Sequence, residues 1–167
     1  MGLHRTQKGL ILALVVLATP AVAQQSGWHY SPQPGEGDRA TLGCDRDATP
    51  QEYTCVAVRC EDDLSTGVHV HTNRQPVLGE WEMTLDRENA SFTAEPSSAP
   101  YGGRFMERTD WLLDRIEQGS FIYLRHVDDT DPSFAYIDLS GSLQAITRAL
   151  AFCAPRVPPE PKAAAGV

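Results

Sequence analysis

His69 and His71 stand two residues apart in the segment Thr66–Thr72, and imidazoles at that spacing on one strand face can share a metal ion. Glu80 or Glu82, on the strand expected next, can face them, and a metal-dependent enzyme at His69 and His71 follows from that arrangement. Against it, no third histidine lies in register, and a solvent-facing pair accounts for the same pattern. Asp128, Asp129 and Asp131 offer hard oxygen ligands of the kind calcium takes, but the run lacks the glycine and distal glutamate of an EF-hand loop, so a turn is expected. Ser142 follows Gly141 at the start of a helical stretch, yet Leu139-Ser140-Gly141-Ser142-Leu143 is not a nucleophile elbow, and a helix cap is the reading. The carboxylates show no spacing that marks a catalytic pair. No cofactor is called for, and the chain is read as non-enzymatic.

The cysteines are Cys44, Cys55, Cys60 and Cys153. Cys55 and Cys60 are not spaced as a C-x-x-C redox motif. Their compartment is set by the N-terminus, where His4, Arg5 and Lys8 precede an apolar run over residues 10–17 and the small-x-small signal Ala21-Val22-Ala23. Residues 1–23 read as a signal peptide, too short in its apolar part to anchor the chain, with a periplasmic or secreted domain following. In such a compartment disulfides are expected. Residues 53–60 are rich in strand formers, and positions 55 and 60, an odd number apart, point to opposite faces. Cys60 shares its face with Val56 and Val58 and should reach a core partner, Cys153. Cys55 should meet Cys44 across a hairpin that turns at residues 45–51.

The chain has 167 residues and a net charge of −8, and loss of Arg5 and Lys8 with the signal peptide makes it more acidic still. The length predicts one domain that buries roughly two thirds of its unfolded surface. The acidity argues against nucleic acid and anionic membrane as partners and fits a cationic protein. The organisation expected is an extended lead-in over residues 24–39, a single β-rich domain over 40–153 and a disordered Pro/Ala tail over 154–167. Within the domain, Val68 and Val70 face inward, as do Trp81, Met83 and Leu85 of Gly79–Leu85. Residues 90–94 return from a turn at 86–89, and 95–103 form a loop. Thr109 or Asp110 caps a helix carrying Trp111, Leu112 and Ile116 inward to a stop at Gly119. Strands follow at 120–127 and 134–139, around a turn at 128–133. A last helix sets Leu143, Ile146, Leu150 and Cys153 on one stripe. The fold class is β-rich α+β, either a sandwich or a curled antiparallel sheet, with the terminal helix packed on it.

Trp28 and Tyr30, in a polar lead-in, and Tyr101 and Arg104, in the expected loop, are candidates for a contact surface. The strings Cys55-Val56-Ala57-Val58-Arg59-Cys60, Trp111-Leu112-Leu113, Phe121-Ile122-Tyr123-Leu124-Arg125 and Ile137-Asp138-Leu139-Ser140-Gly141-Ser142 leading to Ala149-Leu150 and Cys153 resemble small exported proteins of Gram-negative bacteria. The family they are most similar to is the VasI/TagO-like group associated with type VI secretion. This chain differs in carrying Cys44 and Cys55 in addition and in having no counterpart of the family's central Asp and Trp signature. The resemblance implies a periplasmic β-domain without catalysis. The expected role is contact with a protein of the cell envelope. An inhibitor of a cationic envelope hydrolase such as lysozyme is a further expectation, drawn from acidity, size, disulfides and the Tyr101-Gly102-Gly103-Arg104 loop.

Overall fold

A computed structural model describes residues 26–30, 33–74, 76–130 and 134–153. The predicted signal peptide, the Pro/Ala tail and Asp131 of the acidic turn lie outside these. The elements in chain order are β1 (Gly27–His29), β2 (Ala40–Cys44), β3 (Thr54–Cys60), β4 (Thr66–Thr72), β5 (Gly79–Leu85), β6 (Glu88–Pro96), β7 (Gly103–Phe105), α1 (Thr109–Gln118), β8 (Phe121–His126), β9 (Ala135–Asp138) and α2 (Ser142–Ala149). All strands join one antiparallel sheet in the order β1-β2-β3-β4-β7-β6-β5-β8-β9. Of the two architectures expected, the curled sheet is the one formed. β9 comes round against β1 and β2, and the Arg46 amide donates to the Tyr136 carbonyl at 2.9 Å.

Strand alternation decides the two faces. Val56, Val58, Val68 and Val70 point into the curl with Met83, Phe92 and Ile122, and the helices fill it with Leu112, Leu113, Ile116 and Ile146. Each such side chain removed from water contributes about 1.5–3 kcal/mol before entropy is set against it. β7 was not expected. It inserts between β4 and β6 and begins at Gly103, the last residue of the loop predicted over 95–103; a strand of three residues is too short to show an alternating pattern.

Both helices differ from expectation in detail. Neither Thr109 nor Asp110 caps α1: the cap is Arg108 in the left-handed region, φ 52°, with no side-chain hydrogen bond, and Asp110 lies in the first turn, where its charge suits the helix dipole. Trp111 is half-buried, stacked on Phe92 with Arg108 over its ring at 4.2 Å, while Leu113 takes a place in the core. In α2 the buried stripe is Ser142, Ile146 and Ala149, and Leu143 is exposed. Gly141 rather than Ser142 is the cap, which turns the Ser142 hydroxyl inward to donate to the Ile116 carbonyl at 2.7 Å. That clamp rotates the helix away from the predicted stripe. Cys153 is then delivered by turns after the helix, through Ala151 N–H to the Arg148 carbonyl and Cys153 N–H to the Leu150 carbonyl.

Candidate functional site

The cysteines pair as parity predicts. Cys44 and Cys55 are direct cross-strand partners on the outer face and form one disulfide. Cys60, on the inner face beside Val56 and Val58, bonds Cys153 and ties the end of α2 to β3 across 93 positions of sequence.

His69 and His71 do point away from the core valines, but they do not face solvent. His69 is fully buried and His71 is half-buried. Segments remote in sequence cover this outer face. Tyr101 lies against both histidines, its hydroxyl accepting from the Gln33 amide at 3.0 Å, and the Gln33 side-chain amide donates to His71 Nε2 at 3.2 Å. Underneath runs a buried ion-pair chain. His69 Nε2 meets Glu61 Oε1 at 2.7 Å, Glu61 Oε2 accepts from Arg59 Nη1, and Arg59 Nε donates to Glu36 Oε2 at 2.6 Å. Arg104 Nε stands 3.7 Å from Glu61 Oε1. Gly67 makes room for this chain, since a Cβ there would sit 1.8 Å from Glu61 Oε1.

This arrangement corrects the expected surroundings of the histidine pair. The strand beside β4 is β7, not β5, so Glu80 and Glu82 lie on a strand two places further along the sheet and do not face the histidines. Among the described residues no group of three His, Cys, Asp or Glu side chains is placed to hold a metal ion. What the cluster does is electrostatic. Burial works to raise the Glu61 carboxyl, but the hydrogen bond from His69 and the charges of His69, Arg59 and Arg104 outweigh it and hold the group below its ordinary value. Burial, with the His69 charge, pushes His71 down to about 4.

A depressed histidine makes folding pH-dependent. His71 is neutral in the fold but protonates near 6.5 when unfolded, so its contribution is present above about pH 6.5 and lost as pH falls towards 4. Unfolding free energies from urea titrations are expected to drop across that window, by up to about 3 kcal/mol from this group, and to flatten there in His71→Gln. An equally steep wild-type and His71→Gln profile between those values would assign the dependence elsewhere.

The contact surface expected at Trp28, Tyr30, Tyr101 and Arg104 is dispersed. Trp28 lays its indole over Gly43, where a Cβ would lie 2.2 Å from the ring. Tyr30 carries Arg148 over its ring at 4.1 Å, and burial together with a hydrogen bond to Asp38 raises its hydroxyl to about 12. Tyr101 is fully buried, and Arg104 is a paired β7 residue, so Tyr101-Gly102-Gly103-Arg104 is not presented as an inhibitor loop.

The sheet instead exposes aromatics at its other side. In β8 the residues Ile122 and Leu124 turn inward and Phe121 and Tyr123 outward; at β9 Ala135 and Ile137 turn inward and Phe134 and Tyr136 outward. Tyr123 pairs with Tyr136 across the strands, ring centres 5.2 Å apart, and Phe121 lies 5.2 Å from Tyr123 and 5.9 Å, stacked, from Tyr136. Phe134 meets the edge of Tyr123 at 6.3 Å. Arg46 lies over Tyr136 and Arg125 over Phe134, at 4.3 and 4.7 Å. Tyr123 is 38% and Phe134 42% exposed. The signal was present in the sequence, because both strands alternate aromatic with aliphatic residues, and the aliphatic set alone is enough to fill the core. Comparison with protein families, curated proteins and solved structures found no match to this chain.

Proposed function

We propose that this chain is an exported, non-enzymatic domain of the cell envelope, periplasmic or secreted, that works by contact with a protein partner. The observation that carries the reading is the aromatic ladder of Phe121, Tyr123, Phe134 and Tyr136 on an outer sheet face. Tyrosine and phenylalanine held rigid by ring-to-ring and arginine contacts give a partner large apolar area at little entropic cost. Two disulfides support a location outside the reducing cytoplasm, and among the described residues no helix is long and apolar enough to cross a membrane. The kinship with the VasI/TagO-like group belongs to the same proposal, supported by the strand-to-terminal-helix tie of Cys60 and Cys153.

A photo-crosslinking side chain in place of Tyr123, in the chain exported to the periplasm of its host, is expected to give one discrete protein adduct. The same side chain in place of Leu143, exposed on α2, should not give it. Tyr136→Ala in the Tyr123-labelled chain should reduce the adduct about tenfold, the loss typical of one central aromatic contact. An adduct of equal yield at both positions, or none at Tyr123, removes the proposal.

A further inference from the structure

Beside the ladder, the outer face of the β5–β6 hairpin forms an open depression of about 430 Å³ whose polar lining is Glu82, Thr84, Asn89 and Ser91, with the Phe134 ring as one wall. That volume lies in the range of small-ligand sites, roughly 300–1,000 Å³. We infer that this depression is a carbohydrate subsite that takes a neutral sugar residue. The inference goes beyond the protein contact proposed above and shares only Phe134 with it.

The chemistry of the lining selects the ligand class. Glu82 faces Ser91 and Thr84 faces Asn89 across the hairpin, so the polar groups form two rows on one flat face, with partners about 5 Å apart. The Thr84 hydroxyl donates to Asn89 Oδ1 at 2.8 Å, which fixes the amide and turns its N–H₂ group to the donor role. Ser91 donates or accepts. Glu82 is already neutralised by Arg125, which also covers one side of the Phe134 ring. A charged ligand therefore finds no uncompensated countercharge among these lining groups, whereas a polyhydroxyl ligand finds donors and acceptors together. A pyranose has one further requirement, an apolar surface for the C–H groups on its ring face. Phe134, 42% exposed, supplies it, because the negative π face attracts polarised C–H groups. Tyr136 and Phe121 lie beyond Tyr123 and do not line the depression, so the sugar and the protein partner can be lost separately.

The test uses the purified disulfide-bonded protein with chitotetraose and maltotetraose as probes, read by saturation-transfer NMR and titration. One of the two is expected to bind with a Kd below about 1 mM. Phe134→Ala and Asn89→Ala should each weaken it about tenfold, while Phe134→Trp, which keeps a ring, holds affinity within about threefold. Tyr136→Ala should leave sugar binding unchanged while it reduces the crosslinked adduct about tenfold. Far-UV circular dichroism verifies that each variant is folded, and Asn89→Ala, on an exposed hairpin, serves should Phe134→Ala unfold. Absence of binding to both probes at about 10 mM overturns the inference. So does binding that neither Phe134→Ala nor Asn89→Ala weakens, or binding of tetralysine, but of neither sugar, lost in Glu82→Gln.

Discussion

Replacing Cys60 and Cys153 together by alanine is expected to lower the unfolding free energy by about 4.6 kcal/mol, the value chain-entropy reasoning assigns to a closed loop of this size. The bridge spans 93 positions and so constrains the unfolded chain far more than Cys44–Cys55, which spans 11. The same change to Cys44 and Cys55 should cost about 1–2 kcal/mol less. Urea unfolding of the two double variants measures the difference. The long bridge also has a native-state role: it ties down the end of α2, whose other contacts include Ile146, Ala149, the Ser142 clamp to Ile116 and Arg148 over Tyr30. Amide exchange should therefore rise first in α2 when Cys153 is freed. Equal losses for the two bridges, or exchange in α2 that stays as slow as in β3, would refute this account.

Glu61→Ala is the second large expectation, with a loss of about 3–5 kcal/mol. Removal of the carboxylate strips partners from His69 and from Arg59 at once, and Arg59 is only 3% exposed. A buried guanidinium with half its contacts gone costs far more than a surface pair, whose loss is worth about 1 kcal/mol or less. Gly67→Ala tests the same cluster without deleting a charge. Its methyl group would occupy the position of Glu61 Oε1, so the carboxylate must leave His69 and the protein should be destabilised in the same direction. The sign of the pH effect follows from the lowered Glu61 pKa. Its contribution is full above the ordinary carboxylate range and lost as pH falls through the folded value. Glu61→Gln should remove that part of the acid sensitivity. A loss below about 1 kcal/mol in Glu61→Ala would show that water replaces the carboxylate at no cost.

Much of the fold is legible because alternation is a local property. The parity of Cys55 and Cys60, the inward valines of β4 and the inward Trp81, Met83 and Leu85 of β5 each follow from counting by twos, and all appear as counted. Parity states which side a residue takes, and it does not state what lies on that side. His69 takes the face away from the core, and that face is covered by Gln33, Glu36 and Tyr101, brought in from both directions along the chain. The helical stripe of α2 differs for a similar reason: Ser142, Ile146 and Ala149 take the inward face, with the Ser142 hydroxyl satisfied by the Ile116 carbonyl of α1, and Leu143 is left exposed. The ladder on β8 and β9 is hard to read for the opposite reason: a phenylalanine or tyrosine in a strand reads as core unless the aliphatic set already suffices.

The curl of the sheet has a consequence for how this protein meets its own copies. An exposed strand edge invites another chain to continue the ladder, the first step of aggregation. Here the terminal strands are short, β1 spanning Gly27–His29 and β9 spanning Ala135–Asp138, and they are brought together rather than left apart. The Arg46 amide occupies the Tyr136 carbonyl in the middle of β9. Backbone pairing between molecules is thereby blunted, and the exposed aromatic surface of the outer face can be kept without offering a template for fibres.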